Sequence, residues 1–461
     1  MIPGGLRRIR QREKRTMVRT RWIAVAWILL ATGISIVWGY SIQHSAYGCV
    51  DFKQVYYGTR CVLQGHSPYK VSAPNSVYQS TGGECPLESA EARSAVVTYI
   101  HLPTTFIFIA PFAILPWGPA HLLWLAFTAG VLTLAGLLMW ILGARYAPKV
   151  SIFLICILLA NCEMIFGGGN TAGVVVGLCV VAVWCFLEKR FELVGVLCLV
   201  VSLAIKPHDA GLIWLYFLLA GGVCRKRAMQ TLLITAVLGF SALLWHSHLS
   251  PTWMQDWSYN LSVDSAPGAA GAPGPASYAG HKASMVIDLQ GPISVFRNDP
   301  RIYNPVSYLV CGALLLVWSV RTLTLRFSQS GAWFALAAVV PLSMLVTYHH
   351  TWDAKLLMLA IPACAILWAE GGRTGWLALL VTSAGVVLTA DIPLTILLTL
   401  INNLHVFAAG LSGQILAALL MQPVQPILLA MGIFYLWVYV RYDPDRDIIP
   451  YQRIQTLITG L

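Results

Sequence analysis

An all-α polytopic membrane protein is the fold class this sequence predicts, and three observations carry that expectation. Hydrophobic residues make up 57 % of the chain and charged residues only 11 %. The mean hydropathy is +0.70. Apolar runs recur all the way from Trp22 to Val440. A chain of this composition cannot hide its apolar surface inside a water-soluble globule, whereas runs of about 20 residues match the roughly 30 Å of hydrocarbon in a bilayer.

The first element is a basic tail, residues 1–21, with eight Lys or Arg between Arg7 and Arg21 against the one acid Glu13. The net charge of +11 would suggest nucleic acid in a soluble protein. Here much of it sits in the tail, where it holds that end in the cytoplasm and favours anionic membrane lipid, so no nucleic-acid partner is expected. The apolar core at 22–40 has no small-residue cleavage site before Gln43-His44 and reads as an uncleaved anchor. Residues 41–103 then form a long extracytoplasmic loop whose short amphipathic pieces can lie along the membrane surface. Thr104 to Leu115 is too short for an ordinary span and reads as re-entrant or as a short crossing. Further cores follow at 119–142, 151–166, 170–187, 191–205, 210–223, 229–247, 306–324, 332–347, 354–369, 374–390, 393–410 and 423–440, so about ten to thirteen crossings are expected. The loop 248–305, rich in Ala, Gly and Pro at its middle, separates an N-terminal module (22–247) from a C-terminal bundle (306–461). Most of the eleven cysteines sit in apolar runs, where Cys packs as a small hydrophobe; Cys49, Cys61 and Cys85 fall in the outer loop, where chemistry permits a disulfide.

Positive charge then orders the loops. If 104–142 makes one net passage, Arg145, Lys149, Lys189, Arg190, Arg225-Lys226-Arg227, Arg321, Arg326 and Arg373 become cytoplasmic. The opposite side collects Asp51, Gly167-Gly168-Gly169-Asn170, Lys206-Pro207-His208-Asp209, the loop 248–305 and Tyr348-His349-His350-Thr351-Trp352-Asp353.

Each of these segments suggests chemistry. Asp51 is the only acid between residues 14 and 83, and a carboxylate at a membrane boundary can take a proton from a hydroxyl as a general base. Tyr56, Tyr57 and Tyr69 offer ring faces on which a sugar could stack, although aromatics at such a boundary more often form an interfacial belt. Lys206 can pair with phosphate, since Pro207 breaks the helix beside it; the bland alternative is a lysine that snorkels to the interface. His349 and Asp353 at i, i+4 would share a helix face, giving an imidazole oriented by a carboxylate. A metal would want a third ligand with suitable spacing; none is local, so neither a metal nor a cofactor is expected. The Gly167-Gly168-Gly169-Asn170 turn opens a helix and could hold an anion on its N–H groups, but no P-loop, Rossmann or zinc signature is present.

In order, Asp51-Phe52-x-x-x-Tyr56-Tyr57, Leu63-x-Gly65-x-x-Pro68-Tyr69, Tyr99-x-His101-Leu102-Pro103, Ala110-Pro111-Phe112-x-x-Leu115-Pro116, Gly169-Asn170, Lys206-Pro207 and His349-His350-x-Trp352 resemble glycosyltransferase family 87, the polyprenyl-phosphate-mannose-dependent mannosyltransferase-like proteins of the GT-C superfamily. That resemblance implies a GT-C fold with membrane-surface helices in the first outer loop. It implies inverting transfer of a hexose, mannose first, from a polyprenyl-phosphate sugar donor to a lipid or glycan acceptor at the outer face of a bacterial inner membrane. Asp51 would be the general base. Lys206, with His208, His349 or His350, would hold the donor phosphate or position the acceptor, and His101, Asn170, Trp352 and Asp353 would complete the site. No second acid stands beside Asp51, which argues against the Asp-x-Asp metal bridging of other GT-C enzymes. The competing readings are a transporter or flippase of a lipid-linked substrate, for which Glu163 is the candidate acid within a span, and an O-antigen polymerase or ligase relying on Arg297, Arg301 and His281.

Overall fold

The structure, a computed structural model, describes residues 4–43, 48–80, 90–266, 286–346, 348–403, 415–416, 419–420 and 422–445. Cys85 and His281 lie outside them. The chain is helical apart from one antiparallel pair of two-residue strands among the described residues.

The basic tail runs straight into the first span as one helix, α1 (Gly4–Gln43). Four short helices follow before the next long one: α2 (Val50–Leu63), α3 (Ser72–Ser80), α4 (Ala90–Val97) and α5 (Thr105–Ala113). Helix α2 forms because Phe52, Val55, Tyr56, Thr59 and Val62 recur at helical spacing, and that whole stripe is buried. Its rings pack on α6 (Trp117–Gly143): Phe52 stacks on Trp124 at 5.0 Å, and Tyr57 lies parallel to Trp117 at 6.2 Å and edge-on to Tyr78 at 5.2 Å. Cys49 and Cys61 are both buried, and Cys49 Sγ lies 3.2 Å from His121 Nε2.

Helix α5, nine residues long, is too short to span a bilayer. Thr104 Oγ1 at its start donates to Ala204 O in α10 at 2.5 Å, and Leu115 O past its end accepts from Tyr56 Oη in α2 at 2.8 Å. Within 104–142 the helix long enough to cross is α6.

Next come α7 (Pro148–Ala160), α8 (Glu163–Gly168), α9 (Ala172–Leu187), α10 (Glu192–Ile205), α11 (Pro207–Leu219), α12 (Gly222–Leu249) and α13 (Trp253–Asp264). The second half holds β1 (Val286–Ile287), α14 (Gln290–Phe296), α15 (Pro300–Thr324), α16 (Gln329–Val346), β2 (His349–His350), a 3₁₀ helix (Asp353–Ala360), α17 (Ile361–Glu370), α18 (Gly372–Leu388), α19 (Asp391–Asn403) and α20 (Val424–Arg441).

Among the described residues seven helices are long and apolar enough to cross a membrane, or eight if α18 and α19, bent by 81°, count as one broken span. That is fewer candidate spans than the ten to thirteen crossings expected. Helices α9 and α10 are shorter apolar helices of 16 and 14 residues, and the apolar run 354–369 becomes a 3₁₀ helix plus the ten-residue α17. Apolar sequence reports removal from water, and the inside of a thick bundle removes a segment from water as completely as lipid does. In α9 and along the 3₁₀ helix almost every side chain is covered by protein.

Helix direction sorts the termini. From the Asn170 end, α9 rises about 24 Å to Glu188, which pairs with both Arg145 guanidinium nitrogens at 3.0 Å and accepts from Gln329 Nε2 at 2.8 Å. The exits of α6 and α9 and the start of α16 thus meet at one end of the bundle. At the other end gather the starts of α6 and α9, the junction of α10 with α11, and the exit of α16.

Trp124→Ala should remove the floor under α2, leaving a cavity beneath Phe52 and orphaning Gly169 O, which accepts from Trp124 Nε1 at 2.9 Å. A loss of about 3–5 kcal/mol is expected in detergent-micelle unfolding, with Trp124→Phe costing less; an unchanged midpoint in both variants would contradict this packing.

Candidate functional site

Asp51 lies in the first turn of α2, two residues after Cys49, which adopts φ +56°. Asn170 Nδ2 donates to its Oδ2 at 2.8 Å, and Asn170 Oδ1 accepts from Ala172 N at 2.8 Å, so the amide can point only one way. The glycines before it explain the close fit. A Cβ on Gly167 would stand 2.6 Å from Ile42 Cβ, one on Gly168 would stand 2.9 Å from Asp51 Oδ2, and one on Gly169, at φ +67°, would stand 2.6 Å from Phe52 Cβ. The run is thus a cradle into which the end of α1 and the start of α2 are pressed. It does not display a free N–H nest for an anion: Asn170 N donates to Ile165 O, and Ala172 N to Asn170. Burial pushes the Asp51 carboxyl above its ordinary value, with the Asn170 hydrogen bond and the Lys206 charge pulling it back.

Lys206 closes α10, and Pro207, with no N–H to leave unsatisfied, starts α11. Its Nζ meets Asp353 Oδ1 at 2.8 Å, while Asp353 Oδ2 accepts from His350 N at 2.8 Å. Burial alone would draw the ammonium pKa down, but Asp353, Asp209 and Asp51 together hold it above the ordinary lysine value. Burial likewise pushes Asp353 up, and Lys206 with His349 and His208 brings it below the usual carboxylate range.

The i, i+4 pairing expected of His349 and Asp353 is not formed, because residues 349–350 are extended and the helix begins only at Asp353. The oriented imidazole has another partner: His349 Nε2 stands 3.3 Å from Asp209 Oδ1, and His208 Nε2 3.6 Å from the same oxygen. His208, Asp209 and His349 therefore form a group able to hold a metal ion, from two segments 140 residues apart (349 − 209).

His101 borders the same space and feels the charges of Lys206 and His208; burial first, then those charges, drops its pKa to about 3. Gln54 Nε2 donates to Ala95 O at 2.8 Å and Thr98 O at 2.7 Å, so Gln54 Oε1 accepts from His101 Nε2 at 2.9 Å, which leaves Nδ1 as the acceptor of a neutral imidazole. His350 is covered by Trp352, ring on ring at 3.9 Å, and hydrogen-bonds Tyr348. The three tyrosines are placed differently from the expectation of stacking faces. Tyr56, Tyr57 and Tyr69 are at most 1 % exposed, their faces packed on other aromatics; Tyr69 Oη donates to His101 O at 2.9 Å and so supports the site from behind.

Helix α13 and strand β1 complete the walls. Trp257 Nε1 donates to Ile100 O at 2.8 Å, Asn260 Nδ2 bridges Tyr69 O and Tyr99 O at 3.0 Å each, and Val286 and Ile287 pair with His350 and His349. Sequence reasoning named Asp209 without giving it a role, and missed Gln54 and Asp288. Asp288 is buried, its pKa pushed to about 6 chiefly by burial, and its Oδ1 accepts from Gly291 N at 2.6 Å. Also missed was the buried set behind the site, in which Thr351 Oγ1 donates to Asp391 Oδ1 at 3.0 Å and Lys355 Nζ to Thr389 O at 3.1 Å. For Asp209 the signal was present, one residue past His208; for the others it was not.

Residues 99–281 match the family model of Glycosyltransferase family 87. The chain carries a glycosyltransferase family 87 domain. With its seven or eight candidate spans it is a multi-pass membrane glycosyltransferase, and family 87 implies a GT-C-type membrane protein. The matched stretch contains His101, Asn170, Lys206, His208 and Asp209; Asp51 and the segment 348–355 lie outside it and join it through the contacts above. No curated protein and no solved structure matches the chain.

Lys206→Met should strand the Asp353 carboxylate in a buried position, costing about 3–5 kcal/mol. Asp353→Asn should cost as a single change too, but the double variant should lose clearly less than the two losses added together. Strict additivity in that cycle, read by unfolding midpoints, would mean the pair does not act as a unit.

Proposed function

We propose that the family 87 domain and its flanking segments form an inverting hexosyltransferase that takes its sugar, mannose in the first instance, from a polyprenyl-phosphate donor. The acceptor is a lipid or glycan hydroxyl at the extracytoplasmic face of a bacterial plasma membrane. One observation carries this reading: Asp51, held by Asn170, shares one partly buried electrostatic environment with Lys206 and Asp353, although the three come from chain segments about 150 residues apart (206 − 51; 353 − 206).

The chemistry follows from those groups. Asp51 Oδ1, free of the Asn170 hydrogen bond that occupies Oδ2, takes the acceptor's O–H proton as that oxygen bonds to the anomeric carbon. The bond from the anomeric carbon to the phosphate oxygen breaks on the opposite face, so the configuration inverts and both electrons leave with polyprenyl phosphate. Because that leaving group departs as a stable anion, cationic stabilisation is needed more than a proton, and Lys206 supplies it at the junction of α10 and α11. Neutral His101, with Nδ1 as acceptor, can orient a sugar hydroxyl.

Asp51→Asn keeps the Asn170 contact in shape but removes the base. Transfer from a radiolabelled polyprenyl-phosphate hexose in membrane vesicles should fall by at least about a hundredfold, with donor binding within a few-fold of wild type. Turnover retained in Asp51→Asn would take that residue out of the reaction.

The pH profile gives a second check. The base works ionised, so the rate rises with pH through the Asp51 pKa, which burial places above 3.8. Asn170→Ala removes a hydrogen bond that favours the ionised form, so the acidic limb should move to higher pH; a shift to lower pH would contradict the role given to Asn170.

A further inference from the structure

Next to Lys206, three side chains from two distant segments aim at one point. His349 Nε2 and His208 Nε2 stand 3.3 and 3.6 Å from the same oxygen, Asp209 Oδ1, and the three donor atoms lie within 4.8 Å of one another. The imidazole rings meet edge-on with centroids 4.9 Å apart. An ion held 2.0–2.1 Å from nitrogen and oxygen donors in a tetrahedral shell keeps them about 3.4 Å apart along each edge, which is the spacing of both measured contacts.

Charge points the same way. Asp209 is 1 % exposed, and neither of its oxygens has a hydrogen bond among the described residues. A carboxylate so placed needs compensating charge. Lys206 does not fully provide it, since its Nζ is engaged by Asp353 at 2.8 Å, and Asp51 adds further negative charge nearby. Three carboxylates thus surround one ammonium where a phosphodiester is to bind.

We propose that His208, Asp209 and His349 bind one divalent transition-metal ion, with zinc best suited to two imidazoles and one carboxylate, and with an open coordination position beside part-exposed His208. Magnesium, which prefers oxygen ligands in an octahedral shell, fits this donor set poorly. The ion's use in holding an oxygen of the donor phosphate rests on the glycosyl-transfer reading above; its binding does not.

The test is metal content of the full-length chain in detergent, stripped with chelator and dialysed against zinc chloride, with Co²⁺ substitution followed by visible absorption. Wild type should hold one equivalent and develop Co²⁺ d–d bands. His208→Ala and His349→Ala should weaken binding by more than about a hundredfold, and His248→Ala, an exposed histidine elsewhere, should bind as wild type does. Absence of stoichiometric binding in wild type, or binding unchanged in His208→Ala, overturns the site. His208 is part exposed, so that variant decides the matter even where His349→Ala fails to fold. Metal bound without any turnover of lipid-phosphate hexose would sink the transfer reading and leave the metal site standing.

Discussion

The contact between Lys206 and Asp353 is the constraint on which the site depends. It ties the break between α10 and α11 to the start of the 3₁₀ helix, and through the second Asp353 oxygen it also closes the turn that carries His350. An ammonium placed inside an apolar bundle is tolerated only with such a partner. Once the pair is made, the directions of the neighbouring side chains follow: His208 and Asp209 leave the first turn of α11 toward His349, and Thr351 and Lys355 turn the other way to Asp391 and Thr389. A 3₁₀ helix of eight residues is long for its kind. It is held by side-chain contacts on alternate residues, 351, 353 and 355, which lock its entry on both sides.

The helical membrane architecture was legible in composition and apolar runs, because those properties follow directly from the solvent. Helix count was not, since the runs at 170–187 and 354–369 are apolar for burial against protein and carry the same signature as lipid-facing spans. The candidate residues could be read singly: Asp51, Lys206 and His349 each stood out as polar groups between apolar runs. Their pairings could not. Local periodicity joins His349 to Asp353, yet the chain is extended at His349, and its carboxylate comes from Asp209 instead. Tyrosine at a loop start looks alike whether it faces a ligand or a neighbouring ring, and only the packing of α2 on α6 separates the two.

The glycine run shows a different kind of legibility. Three consecutive glycines before Asn170 suggested an anion nest, and the structure uses them as space for a neighbouring helix end. Both uses need the same missing side chain, so the sequence alone does not choose between them. What decides is that two segments far apart in the chain, the exit of α1 and the start of α2, arrive against the same short turn and need backbone to pack on.

The two termini of α9 give the bundle a polarity with a consequence for supply. One terminus carries the Arg145–Glu188 lock, the other the carboxylates around Lys206, and roughly 24 Å of apolar helix separates them. A prenyl-chain substrate charged with its sugar in the leaflet nearest the arginines would reach the reacting groups only after being turned over to the opposite leaflet. On the transfer reading proposed above, the reaction is thus supplied by whatever turns such headgroups over across the bilayer.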